Sequence, residues 1–290
     1  MNRVNKKIFF INMQYKGQLA TVNMNKRDKY EFHEACKSGD LQLVKRLIDI
    51  DNINTTCPDG YTGFILACKK GHNDIIKFIL NFTRRYSTHF RKKVLNKIDK
   101  RGHTGFIYAC GYNHINVVFT LVTDEHVDVN LSGPNSINGF IAACYRYNVN
   151  IVKYLLTISK VDFNKKYKGK TPFMIVCENT FINKDKNKLI RLLIRSESID
   201  VNQIDYKGNT AFITACIHND VDIVKLLLSH DEININIVNN DWDNAYDVVK
   251  IREYKELERI LLESGKLSDN KEYRCVLSII IDRILSIVNE

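Results

Sequence analysis

Six cysteines recur at one position of a repeated phrase, and two histidines stand within helical reach of them. Cys36, Cys68, Cys110, Cys144, Cys177 and Cys216 follow one another at intervals of 32, 42, 34, 33 and 39 residues. The pairs His33/Cys36 and Cys110/His114 have spacings that could set two metal ligands on one helix face. A structural zinc site takes four ligands, and no second pair of matching spacing follows either. A thiol becomes a nucleophile where a cation, a helix N-terminus or a metal lowers its pKa; burial leaves it inert. On neighbouring stacked helices these cysteines would lie about 8–10 Å apart, too far for a disulfide. They read as small, soft, reduced core residues, and Cys57 and Cys275 fall outside the pattern. No Gly-rich phosphate loop, paired-carboxylate motif or Ser/His/Asp arrangement is visible. The expectation is a protein without catalytic residues, metal or cofactor.

The cysteines close copies of one phrase. Thr62-Gly-Phe-Ile-Leu-Ala-Cys68, Thr104-Gly-Phe-Ile-Tyr-Ala-Cys110 and Thr210-Ala-Phe-Ile-Thr-Ala-Cys216 are the closest, with looser copies at 138–144, 171–177 and 32–36. All but the copy at 32–36 open on a residue whose side chain can accept an orphan backbone N–H of a first helical turn. Pro172, in one copy, suits the first helical position because it has no N–H to leave unpaired. The small Ala-Cys pair permits close helix approach, and Gly39, Gly71, Asn113 and Asn219 are the expected helix stops. A second helix follows with apolar residues on one stripe, as in Ile75/Ile76/Ile79/Leu80 and Ile223/Val224/Leu227/Leu228. Extended phrases such as Val161-Asp-Phe-Asn164 and Ile199-Asp-Val-Asn202 then lead into turns such as Asp205-Tyr-Lys-Gly208. Self-similarity at this period marks a stacked-repeat architecture.

Helix, turn, helix and extended hairpin in about 33 residues resembles the ankyrin repeat, whose pattern runs Asp-x-x-Gly-x-Thr-Pro-Leu-His-x-Ala. The resemblance covers residue 28 to about 263. It implies an all-α solenoid of helix-turn-helix units linked by β-hairpin-like loops. Phe stands where the family has Leu, and Ile or Met where it has His; only His33 keeps the His that ties hairpin to helix. The Asn-, Ile- and Lys-rich composition and the Thr-Gly-Phe-Ile-x-Ala-Cys phrase look like the ankyrin proteins of mimivirus-type giant viruses. The resemblance also makes Asn130 and Asn202 match a position that asparaginyl hydroxylases modify, although an Asn there is expected to bond its own turn backbone.

Around the array, residues 1–27 carry six basic residues and no acid and read as a loosely ordered lead-in, with a short strand at Ile8–Met13. The array spans 28–263 in about seven repeats, including degenerate end repeats, with insertions near 81–96 and 180–188. Residues 266–290 contain an amphipathic helix, Glu272–Val288, as a cap or docking helix. No apolar run is long enough to cross a bilayer and no signal-peptide core is evident, so an intracellular protein is expected, in host cytoplasm if viral. The net charge of +10 is uneven: residues 1–119 hold 21 Lys and Arg against 9 Asp and Glu, the remainder 22 against 24. Asymmetry of this kind bears on partners rather than fold.

The resemblance implies a non-catalytic scaffold that binds a partner protein along the concave face of hairpin tips and first helices. Carried over position by position, the candidates are Tyr61, Lys69, Lys70, Lys100, Arg101, His103, Tyr112, Tyr145, Arg146, Tyr167, Lys168, Lys170, Tyr206, Lys207 and His218. Tyr is a residue type that interface hot spots favour, and the basic members point to a partner with an acidic surface. The protein is expected to be a monomer. Two alternatives stay open. The insertion offers Arg84, Arg85, Arg91, Lys92 and Lys93 with Phe82, Tyr86 and Phe90, cations and rings that suit nucleic acid or another anionic surface along 84–101. A ubiquitin-ligase adaptor would use the C-terminal helix.

Overall fold

The computed structural model describes residues 26–134, 136–178 and 185–268. These fold into fifteen helices with no β-strand among the described residues. They form two compact units, dividing the chain after Ala142. The strand at 8–13, the insertion as far as residue 184 and the helix at 272–288 lie outside the described residues.

The first unit holds α1 (Lys26–Ser38), α2 (Leu41–Leu47), α3 (Gly63–Lys70), α4 (Asn73–Thr83), α5 (Thr88–Leu95), α6 (Gly105–Gly111) and α7 (Ile115–Val122). The chain passes to the second unit within α8 (Gly139–Tyr145). There it forms α9 (Val149–Leu155), α10 (Pro172–Glu178), α11 (Lys186–Ile194), α12 (Ala211–Ile217), α13 (Val221–Leu228), α14 (Ala245–Ile251) and α15 (Lys255–Glu263). First helices stack on first helices, α1 on α3 and α3 on α6, then α10 on α12 and α12 on α14. Second helices form a parallel layer, α2–α4–α7 in one unit and α9–α11–α13–α15 in the other.

Capping follows the sequence. The hydroxyls of Thr62, Thr104 and Thr210 accept from Ile65 N, Ile107 N and Ile213 N at 3.1–3.2 Å. Asn138 does the same for Ile141 N at 2.8 Å. The degenerate last repeat begins with a full capping box between Asn244 and Asp247.

The glycine after each Thr answers to the repeat before it. A Cβ on Gly105 would stand 2.7 Å from Cys68 Sγ and 3.1 Å from Phe64; one on Gly63 would meet Phe32 at 2.5 Å and Cys36 Sγ at 2.8 Å. Here Phe and Cys occupy the space a larger first-turn residue would need. Phe32, Phe64, Phe140, Phe173 and Phe212 are fully buried, each contributing about 1.5–3 kcal/mol of apolar transfer. Burial pushes the thiols of Cys36, Cys177 and Cys216 up to about 12 and holds that of Cys68 well above its ordinary value. The repeat-position cysteines form no disulfide and are buried, as packing residues should be.

Helix stops depart from the sequence reading in one respect. Gly39, Gly71, Asn113 and Asn219 have positive φ, but so do Tyr147 (56°) and Glu253 (58°) at the equivalent corner. Glycine and asparagine are the residues that enter this region readily, so neither was legible as a stop.

The exit asparagines act between repeats, not within their own turns. Asn164 donates to Ser198 O (3.0 Å) and accepts from Asp200 N (3.2 Å). Asn202 bonds Glu232 O and Asn234 N in the same way, and Asn236 bonds Lys266 O and Ser268 N. The local turn is held instead by the residue two before, as when Asp200 Oδ1 accepts from Asn202 N at 3.1 Å. This corrects the expectation of an own-turn bond: each side-chain amide supplies donor and acceptor to the next repeat's backbone.

Candidate functional site

In the first unit the hairpin at 99–103 is built on Asp99. Its Oδ1 accepts from Arg101 N (2.9 Å) and His103 N (2.8 Å), while Oδ2 accepts from the Tyr108 hydroxyl at 2.6 Å. A buried carboxylate therefore ties the hairpin to α6, the task that His33 performs in the first repeat through a 3.0 Å bond between Nε2 and Thr55 O. Around it, Tyr61 and Tyr108 meet edge-on at 5.7 Å and His103 abuts Tyr108 at 5.4 Å. The Lys69 ammonium lies 4.4, 5.1 and 6.0 Å from the ring centroids of Tyr61, Tyr108 and Tyr112 and donates to the Tyr61 hydroxyl at 3.1 Å.

Burial acts on the titration of two members of the cluster. Burial and the bond to Asp99 push the Tyr108 hydroxyl far up, so it stays a donor. Burial lowers His103, with Asp99 opposing and Arg101 and Lys69 assisting, so this ring is neutral at pH 7. Tyr61 is buried and Lys69 and His103 are half-buried, whereas Lys70, Lys100, Arg101 and Tyr112 are exposed. The exposed cations make no ion pair among the described residues.

In the second unit a cleft of about 470 Å³ is lined by Tyr145, Tyr167, Lys168, Lys170, Ile175, Glu178 and His218. Tyr145 comes from the end of α8, Ile175 and Glu178 from α10, and His218 from the C-cap of α12. The remaining three belong to a tight turn in which Lys168 (φ 50°) and Gly169 (φ 80°) both take left-handed backbone. Tyr167 and Lys170 pair across it in an antiparallel bridge, the geometry of a two-residue hairpin. Lys170 ion-pairs with Glu178, and Lys168 leans over the Tyr167 ring at 5.4 Å. The next tip covers this turn: a Cβ on Gly169 would strike the Tyr206 ring at 2.4 Å. Tyr206 is nevertheless 80% exposed, and Lys207 and Arg146 are exposed beside the cleft residues in sequence.

With the paired helices, capped first turns and hairpins in view, comparison with known proteins decides the family. The model for ankyrin repeats (three copies) matches residues 32–133 and 139–239. The chain belongs to the ankyrin-repeat family. Solved ankyrin folds agree. The human ASB11 ankyrin repeat domain is 19% identical with TM-score 0.59, covering 82% of this chain and 98% of its own. The Bcl-3 ankyrin repeat domain, from a member of the IkappaB family, is 17% identical with TM-score 0.62 over 77% and 97%. A chain from the complex of the Bdellovibrio bacteriovorus endopeptidase Bd0816 with immunity protein Bd3460 is 23% identical, with TM-score 0.55 over 69% and 98%. No curated protein sequence matches.

Two contributors were missed from the ankyrin sequence, and both had a signal. Tyr108 and Ile175 occupy the one freely varying position of the seven-residue phrase, filled by Leu66, Tyr108, Ala142, Ile175 and Thr214. In both units that position faces the hairpin. Apart from both sites stands Trp242, the chain's single tryptophan, 66% exposed at φ 66°. It sits where the other hairpins have Gly60, Gly102, Gly169 and Gly208, all at positive φ. A bulky side chain in left-handed backbone is strained, and strain of this kind collects at functional positions.

The insertion is a helix of its own. Ser87 caps α5 by accepting from Phe90 N at 3.3 Å, and Val94 and Leu95 are buried. Arg91 is drawn into an ion pair with Asp124, and Asn96 bonds His126 O and Asp128 N, the same stitch the exit asparagines make. Phe82, Tyr86 and Phe90 pack on one another at 5.5 and 4.9 Å. Arg84, Arg85, Lys92 and Lys93 remain exposed.

Proposed function

We propose that this chain is a non-catalytic scaffold that holds an acidic partner protein against the hairpin tips and first helices of its units. The observation that carries the reading is a set of exposed cations, none in an ion pair among the described residues, beside aromatics on those tips and first-helix ends: Lys70, Lys100 and Arg101 with Tyr112, and Arg146, Lys168 and Lys207 with Tyr145 and Tyr206. Tyr supplies rigid contact area and the cations supply steering and register. The Lys170–Glu178 pair at the cleft adds a point of competition, since a partner carboxylate could displace Glu178 from Lys170. In this reading the protein works as a monomer in the cytoplasm, the host's if the viral likeness of its composition reflects its source.

The test is capture of partners from a matching cell extract, quantified by mass spectrometry. Two variants serve, Lys70→Glu/Lys100→Glu/Arg101→Glu and Tyr145→Ala/Lys168→Glu/Tyr206→Ala. A partner retained by wild type and lost from at least one variant supports the reading. An unchanged partner set in both defeats it.

A second reading, contact with nucleic acid or another anionic surface, draws on exposed Arg84, Arg85, Lys92 and Lys93. It is weakened by the withdrawal of Arg91 and of the three rings into internal contacts. Retention on heparin against salt decides it, because phosphate contacts give a steep log–log slope. An adaptor role through residues 272–288 rests on a segment outside the described residues.

A further inference from the structure

The second helices of the second unit carry a feature separate from the hairpin face. Between α9 and α11, which pack side by side, lies a cleft of about 450 Å³ lined by Val149, Lys153, Lys188, Arg191, Leu192 and Arg195. Every polar side chain in this lining is a cation. All four cations are exposed, and none makes an ion pair among the described residues.

The sequence explains the alignment. Positions 188, 191, 192 and 195 share one stripe of α11 and its C-cap, leaving Leu189, Ile190, Leu193 and Ile194 to the core. Val149 and Lys153, four apart on α9, face the same space. The seven steps from 188 to 195, at about 1.5 Å of rise each, give the stripe about 10 Å of length.

Second-helix cations elsewhere in this unit have partners. Lys186 meets Asp220 at 3.0 Å, Lys225 meets Glu256 at 3.6 Å, and Arg259 meets Glu263 at 2.9 Å. Lys188, Arg191 and Arg195 instead stand three and four residues apart with like charge, an arrangement that opposes helix formation. An unbalanced cluster converging on an apolar floor has a complement, and the lining describes it: apolar side chains to seat on Val149 and Leu192, with carboxylates spaced to meet the rim.

We propose that this cleft docks an acidic amphipathic segment of a partner protein, on a surface distinct from the hairpin tips. Two helical turns of such a segment span the stripe, presenting apolar anchors at i and i+4 with Asp or Glu on either side, in the manner of a helix laid in a groove. Nucleic acid fits less well. The cleft offers no aromatic ring for a base to stack on, and its floor would be left against a phosphate backbone.

Fluorescence anisotropy on the full chain tests this with a labelled 15-residue Leu/Glu peptide that forms an amphipathic helix, a scrambled peptide of the same composition, and an oligo-dT 20-mer, all at physiological ionic strength. The amphipathic peptide should bind at least tenfold more tightly than the scrambled one. Lys188→Glu/Arg191→Glu/Arg195→Glu should weaken it at least tenfold, while Lys45→Glu/Lys77→Glu, at exposed second-helix cations of the first unit, should leave it within twofold. Equal binding of the two peptides would overturn the proposal, as would an unchanged affinity in the triple variant. Oligo-dT binding that exceeds the peptide's and is lost in the triple variant would reassign the cleft to polyanions and overturn it too. Arg191→Gln/Arg195→Gln, which removes charge without reversing it, gives the same reading should the triple variant fold poorly, with at least a threefold loss expected.

Discussion

The two units place different side chains at the same register of the same repeat, and the outcome differs in kind. In the first, Tyr108 at the varying position of the phrase reaches Asp99, gathers Tyr61 and His103, and holds Lys69 among its rings. In the second, Ile175 at that position has no hydroxyl to offer, and its neighbours line an open cleft. One fold therefore uses similar residue types in two ways, to close on themselves in the first unit and to line a cleft in the second. Substitutions near Tyr108 should act on stability, and those around the cleft on binding.

The largest effect is expected at Asp99. Asp99→Ala strips the Tyr108 hydroxyl and two turn N–H groups of their acceptor, and leaving such groups unpaired costs about 3 kcal/mol, measurable as a lower denaturation midpoint. A loss no greater than that of a surface substitution would break the comparison. Gly105→Ala follows, at about 2 kcal/mol for overpacking, because the new methyl would press on Cys68 and Phe64. Combining it with Phe64→Leu should recover part of that loss, and purely additive losses would mean the two do not share the space. Tyr108→Phe, which orphans only one carboxylate oxygen, should cost about 1 kcal/mol.

Acid sharpens the first unit's side of the comparison. His33 and His103 both have folded pKa values lowered mainly by burial. A neutral buried imidazole binds fewer protons than its unfolded counterpart, so stability is full above the ordinary value of 6.5 and is lost as pH falls below it toward the folded value. The denaturation midpoint should fall between pH 7 and pH 5, and His33→Gln should flatten that fall. The smallest effect belongs to the cleft: Lys168→Ala should change stability by no more than about 0.5 kcal/mol while reducing partner capture.

Much of this was legible because repetition exposes the packing rules. The Thr caps, the second-helix stripes and the buried cysteines each follow from local chemistry that recurs in successive copies. What was not legible depends on contacts between copies. Nothing local explains Gly63 and Gly105, which leave room for the Phe and Cys of the preceding repeat. The exit asparagines looked like turn formers, yet their amides bond the following repeat some thirty residues on. Arg91 looked like part of a free basic run, and its partner Asp124 lies 33 residues away. Tyr147 and Glu253 carry no compositional sign of a left-handed corner. Of the residues expected at the surface, position alone implied the exposure of Lys100, Arg101, Lys168, Tyr206 and Lys207. The inward turn of Tyr61 and Lys69 required knowing that Tyr108 would reach Asp99.

Trp242 gives the molecule a spectroscopic handle of its own. As the single indole in the chain, mostly in water at the last hairpin, it makes the protein's near-ultraviolet emission the report of one site. That emission should be red-shifted and open to quenching by iodide in the free protein. A partner that closes over the last hairpin would move it to the blue and shield it. One that docks only on the first unit would leave the spectrum where it was, so a single tube distinguishes which end of the chain is occupied.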